Sequence, residues 1–258
     1  MLFGFKNDDP SRDVEDALGQ LTSMALGDQD RAGAFIQHNA VQDWLLNPHF
    51  GALLVHGNGR RHDPISPTSV GCALLIHIFS KKLRFPTLYW FCGLHISGPN
   101  GSPSGLMQSL ICQLLCLSCC ECSLDDQKDF DTQDLNKLLK LLKRLLRRSS
   151  GVPPVVCIID GISYYESRHQ TEDTGKIVRR LAKLAKGDPP VLMLLITSPT
   201  RTSYIYREPN IAEHVAITEV PAHVSGAKQG LNHREVVSST EQRARKLSES
   251  LGVGGIPT

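Results

Sequence analysis

Charge of one sign is scarce in this sequence: 28 Lys and Arg stand against 26 Asp and Glu, a formal net charge of +2, and the pI is about 8.1. That balance lacks the basic footprint by which proteins hold a phosphate backbone, so nucleic acid is not an expected partner. Long hydrophobic runs are scarce as well. The longest, 105–120, is about one helical turn too short for a bilayer and carries Gln108 and Gln113, which excludes a membrane span there. The opening MLFGFKNDDPSRD turns polar and acidic too early to form the apolar region of a leader. These absences predict a soluble cytoplasmic protein.

Cysteine is present without the spacing that would make it a framework. Cys72, Cys92, Cys112 and Cys157 sit inside apolar stretches and read as small buried hydrophobes. Cys116, Cys119, Cys120 and Cys122 are crowded together, but no second ligand pair stands at zinc-site spacing. No repeat period is visible, which excludes a solenoid.

What remains is a chain of 258 residues, 41% of them hydrophobic, enough to bury one sizeable core. Apolar runs of strand length alternate with segments of helical period, the pattern of an α/β protein with a mostly parallel sheet. Five strands are predicted, over 52–57, 87–94, 154–160, 191–197 and 214–220. The first four are apolar without strict alternation, as expected of strands covered on both faces. Helices are predicted over 14–26, 32–46, 66–81, 104–116, 135–146 and 176–186. Ser66 and Pro67 give the third a cap and a first-turn proline. The expected organisation is a helical lead-in over 1–46, a core over 47–221, and a polar, flexible tail over 222–258 with a short helix at 240–251. The helix LNKLLKLLKRLLRR would also suit a membrane surface or a partner groove. Its position directly ahead of a core strand favours packing of the leucine face on the sheet instead.

Three strand ends carry candidate chemistry. Leu53-Leu54-Val55-His56-Gly57-Asn58-Gly59 opens like a glycine-rich loop whose backbone N–H groups cradle phosphates at a helix N-terminus. A working loop of this kind continues Gly-Lys-Ser/Thr, the lysine neutralising phosphate and the hydroxyl holding Mg²⁺. Here the lysine is missing and the loop is long. Arg60 or Arg61 can supply charge, and Ser66, Thr68 or Ser69 a hydroxyl. Val155-Val156-Cys157-Ile158-Ile159-Asp160 is an apolar strand ending in a carboxylate, which can serve Mg²⁺ or can simply cap the following turn. Leu194-Leu195-Ile196-Thr197-Ser198-Pro199-Thr200-Arg201 ends in hydroxyls and an arginine, a tip able to sense a terminal phosphate or to close a turn.

Taken in order, VHGNG, YWFCGL, SLICQLL, IIDGISYYE and LLITSPTR resemble the NACHT-type branch of the STAND P-loop NTPases, and more narrowly the divergent NACHT-like domains of large fungal proteins. The resemblance spans about 41–220, beginning with Trp44-Leu45. It implies a three-layer P-loop NTPase-type core in which the strands of Asp160 and Thr197 flank the first strand, with ATP or GTP and Mg²⁺ as ligands. It also exposes departures. Ser163 and Tyr164 stand where the family places carboxylates, Glu166 is displaced by two residues as the remaining base, and Pro199 stands where the family has its arginine. The expectation is a degenerate nucleotide-binding module serving as a regulatory or scaffold domain, through self-association or protein partners, with Asp160 toward the metal and Thr197, Ser198 and Arg201 as sensor. The alternatives are an active ATPase with a divergent loop and an α/β interaction domain that binds no nucleotide.

Overall fold

The computed structural model describes residues 10–47, 51–59, 63–118, 123–131, 134–149, 154–166, 169–187, 192–207, 209–222 and 233–250. Five strands form one all-parallel sheet: β1 (Ala52–His56), β2 (Thr87–Phe91), β3 (Val155–Asp160), β4 (Leu192–Ser198) and β5 (Val215–Glu219), in the order β2-β3-β4-β1-β5. Each lies within a residue or two of its expected bounds, except that β2 stops three residues early. There the chain turns into a short helix at Cys92–His95.

Successive residues of a strand face opposite sides of the sheet, and here both sides are covered. Leu54, Cys157, Ile159, Leu194 and Ile196 meet one helical layer. It comprises α6 (Pro103–Ser118), α8 (Leu135–Arg148) and α9 (Thr171–Ala185), taking the short helix at Cys92–His95 as α5 and Leu124–Asp131 as α7. Leu53, Val55, Val156, Ile158, Met193 and Leu195 meet the other, made of α1 (Pro10–Gly19), α2 (Leu26–Gln37), α3 (Asn39–Leu46) and α4 (Pro67–His77). The result is the three-layer α/β arrangement expected from continuous apolar strands.

Seven leucines of α8 are buried, Leu135, Leu138, Leu139, Leu141, Leu142, Leu145 and Leu146. The apolar stripe is therefore core, and the membrane-surface reading of this helix is overturned. Among the described residues no helix is long and apolar enough to cross a membrane.

Three expectations differ from what is observed. The helix predicted over 32–46 is two helices, because His38 is extended (φ −61°, ψ 132°) and its Nδ1 accepts from Ala40 N–H at 3.2 Å, capping α3. The 222–258 segment includes an 18-residue helix, α10 (His233–Ser250), longer than expected. It is held by Arg243 donating to Gln42 Oε1 and by burial of Thr240. The strand of Thr197 flanks β1 as expected, but the strand of Asp160 does not. Instead β4 lies between β1 and β3, and β5 covers the other side of β1.

That order decides where a crevice can form. After β1 the chain crosses to α4 on one face. After β4 it passes to Ile205 and Ile211, which pack on the other. Neighbouring parallel strands whose connections leave to opposite faces open a crevice at their carboxyl ends, the usual ligand position in open α/β sheets. Here it lies between His56-Gly57 and Ser198-Pro199.

Candidate functional site

The crevice is closed by the chain itself. Gly57 N–H donates to the Ser198 carbonyl at 2.8 Å, and Gly59 N–H to the Pro199 carbonyl at 2.6 Å. Asn58 takes the left-handed conformation (φ 50°), and its side-chain amide donates to the Val220 carbonyl at 2.9 Å. Two glycine donors that could point at an anion are thus spent on β4. The space behind them, lined by Arg31, Gly57, Gly59, Ser66, Pro67, Thr68, Pro199 and Val220, admits no water-sized sphere. Arg60 and Arg61 lie outside the described residues.

The start of α4 is equally committed. Ser66 caps it, accepting from Ser69 N–H at 3.2 Å, while Ser66 N–H donates to Ser69 Oγ at 2.9 Å. This reciprocal box uses one first-turn donor, and Pro67 has none to offer. Thr68 Oγ1 lies 2.8 Å from Ser66 Oγ.

Asp160 stands at the centre, 1% exposed. Ser69 Oγ donates to its Oδ2 at 2.7 Å, and Thr197 Oγ1 donates to its Oδ1 at 2.5 Å. Burial pushes this carboxyl up to about 6, against the opposing pull of the two hydroxyl donors. Burial also raises the neighbouring thiols: Cys72, which donates weakly to Thr197 Oγ1 at 3.8 Å, and Cys92. Tyr164 packs against Gly161 (φ 73°) and Gly93, and its hydroxyl donates to the Asp63 carbonyl at 2.5 Å. A Cβ on Gly93 would meet the Pro64 carbonyl oxygen at 2.2 Å, so the 63–65 loop lies directly on α5. Each carboxylate oxygen of Asp160 thus accepts one hydroxyl donor, and the carboxyl lies buried where α4, β3 and β4 meet.

Of the residues singled out in the sequence, Ser66, Thr68, Ser69, Asp160 and Thr197 come together; three others do not join them. Ser198 Oγ donates to the Thr200 carbonyl. Arg201 pairs with Glu219 at 3.2 Å and lies 4.2 Å over the Tyr206 ring. Glu166 accepts from three consecutive backbone N–H groups, of Ser203 (2.6 Å), Tyr204 (2.9 Å) and Ile205 (2.9 Å). Neither Arg201 nor Glu166 is joined to the Ser69–Asp160–Thr197 cluster by these contacts.

Two features escaped the sequence reading. His56 is fully buried; its Nε2 accepts from Thr202 N–H at 3.3 Å, and its Nδ1 lies 3.8 Å from Glu219 Oε1. Burial lowers its pKa, partly offset by the charge of Glu219. Arg31, from α2, reaches the loop: its Nη2 donates to the Gly57 carbonyl at 2.6 Å and its Nη1 lies 3.4 Å from Asp28. Nothing local in the sequence marks it, because Arg31 and Gly57 meet only when α2 docks on α4. Beside Arg31 opens a cleft of about 1000 Å³ lined on one side by Gln20, Met24 and Ala25 of the α1–α2 connection and on the other by Asn58, Asp63 and Ser66.

Among the described residues, no group of three His, Cys, Asp or Glu side chains could hold a metal ion. Cys119, Cys120 and Cys122 fall outside the described residues. No curated protein and no solved structure matches the chain. Residues 31–199, about two thirds of the sequence and inclusive of the ends of β1 to β4, match the family model for the N-terminal region of nephrocystin 3, and the chain belongs to that family.

Proposed function

We propose that this protein is a degenerate P-loop NTPase-type module, of the NACHT/STAND kind, that binds a nucleoside phosphate without hydrolysing it and serves as a regulated scaffold. The observation that supports the reading is the junction of Ser69, Asp160 and Thr197, which ties the first helix after β1 to the ends of β3 and β4. In the motif G-x-x-x-x-G-K-[ST] the hydroxyl residue directly follows the lysine. If Ser69 is that hydroxyl, Thr68 falls on the lysine and Pro67 on the second glycine. Gly57 then precedes Ser69 by 12 positions (69 minus 57), where the motif allows about 7.

Phosphoryl transfer relies on cations and oriented donors that stabilise charge in the transition state, together with a group that positions the attacking water. Thr68 carries no charge, and the Gly57 and Gly59 N–H groups are committed to β4. Glu166 is clamped by three amides, and Arg201 is paired with Glu219. A core of this kind keeps the connections that couple loop, helix and sheet while lacking the parts that drive turnover.

Calorimetric titration with Mg-ATP, Mg-GTP and the diphosphates, alongside a phosphate-release assay, tests this. Saturable binding without turnover supports the reading. Turnover in the ordinary enzyme range, about 1–10³ s⁻¹, would sink the non-hydrolytic part. No heat at high micromolar nucleotide would leave an interaction domain that binds no nucleotide.

A further inference from the structure

The structure assigns to Arg31, a residue of α2 outside the glycine-rich segment, the role of phosphate-binding cation for a magnesium-complexed nucleoside polyphosphate held in the adjoining cleft. This inference rests on the proposed nucleotide binding and specifies where and by what it occurs.

The argument begins with the donors that are gone. In the described part of the loop, Gly57 and Gly59 N–H are bonded to β4 carbonyls, the Asn58 side chain to Val220, and Ser69 N–H to Ser66; Pro67 has no N–H. With these donors committed, a side-chain cation beside the loop supplies attraction for an anion that the two glycine N–H groups do not. Arg31 is placed for that. Its side chain is 16% exposed and lines both the closed space behind Gly57 and the open cleft. A guanidinium has five N–H donors in a fixed fork. The contacts made here, to the Gly57 carbonyl and to Asp28, leave Nε buried without a partner.

The cleft's other charges set the form of the ligand. Asp28, Asp30 and Asp63 line it together with Arg31, so among the described residues carboxylates outnumber the cation. A bare polyphosphate meets repulsion there, whereas its Mg²⁺ complex carries less negative charge and a hydrated cation that carboxylates attract. A volume of about 1000 Å³ is at the upper end of small-molecule sites and accommodates a whole nucleotide.

The test is calorimetric titration of the full chain with ADP and ATP, each with Mg²⁺ and with EDTA, with Mg²⁺ alone as control. Variants are Arg31→Ala, Arg31→Lys, Asp63→Asn and the double variant Arg60→Ala/Arg61→Ala. The expected results are binding only with Mg²⁺, weakening of at least tenfold in Arg31→Ala and smaller weakening in Arg31→Lys. Asp63→Asn, which keeps the carbonyl bonded to Tyr164, should partly relieve the Mg²⁺ requirement. Should Arg31→Ala unfold, the lysine variant and Asp63→Asn still decide the matter. Arg31 variants that bind like the parent, with the Arg60/Arg61 pair abolishing binding, overturn the assignment of Arg31 and leave the proposed function standing. Absence of binding by the parent overturns both.

Discussion

Ser69 Oγ donates a 2.7 Å hydrogen bond to Asp160 Oδ2 across 91 residues of sequence, and this contact joins the start of α4 to the end of β3. Thr197 completes it from β4. One helix and two adjacent strands, α4, β3 and β4, are therefore fastened at one buried carboxyl, and its protonation is linked to the stability of the core.

Asp160 is an acid whose folded-state pKa, about 6, lies above the unfolded carboxylate value of about 3.9. The folded state therefore holds the proton more tightly, and stability falls as pH rises from about 4 to 6. The cost of the charged form at pH 7 is of the order of 3 kcal/mol. Asp160→Asn is expected to raise stability at pH 7 by about 1–3 kcal/mol and to remove the slope in that window. Urea midpoints at pH 4.5 and pH 7 measure both.

His56 shifts the other way. Burial holds it neutral in the folded state, while in the unfolded chain it titrates near 6.5. As pH falls through 6.5 only the unfolded state gains the proton, so the folded state loses stability. In His56→Gln, whose amide oxygen can still accept from Thr202 N–H, this loss is absent. The stability difference between parent and variant should shrink between pH 7.5 and pH 5.5; a constant difference would contradict the neutral-histidine assignment.

Gly71 is the place where α2 and α4 touch: a Cβ there would lie 2.3 Å from Phe35 Cδ1 and 2.8 Å from Phe35 Cε1. Phe35 and Arg31 are one turn apart on the same face of α2. Gly71→Ala is expected to cost about 1–3 kcal/mol by overpacking. By moving α2 it should also draw Arg31 away from Gly57, weakening Mg-ADP binding together with Arg31→Ala. Thermal unfolding followed by circular dichroism reads the first effect and titration the second.

Asp126, 1% exposed, accepts from Arg144 at 2.6 and 3.0 Å and from Arg148 at 2.7 Å, clamping α7 on α8. Burial would raise its pKa, but the two guanidinium groups outweigh it and hold the carboxyl well below the usual range. Because the depressed pKa lies in the folded state, the stabilisation is present above about pH 4 and is lost on further acidification. Both arginines are partly solvated, so Asp126→Ala is expected to cost about 1–3 kcal/mol, less than loss of one member of a fully buried pair. Lys140→Ala, on the exposed face of the same helix, should stay within about 0.5 kcal/mol. A comparison of urea midpoints tests the contrast.

The sequence by itself determined the layers. Strands such as Val155–Asp160 are apolar at every position before the terminal carboxylate, which only burial on both faces allows. The leucine spacing of α8 likewise specifies one inward stripe, and Ser66-Pro67 marks the start of α4. These are near-neighbour properties, so local periodicity reports them. Asp160, Ser69 and Thr197 were also legible as candidates, because each stands at the carboxyl end of a core strand or at a helix start. Their joining was not, since it depends on β4 lying between β1 and β3. That strand order follows from how crossovers pack and leaves no trace in spacing. Tertiary structure alone likewise decided that Arg201 turns to Glu219, that Glu166 is taken by the amides of 203–205, and that Arg31 reaches Gly57. A side chain's charge is written in the sequence, but its partner is whichever group the packed helices and strand ends bring within hydrogen-bond reach.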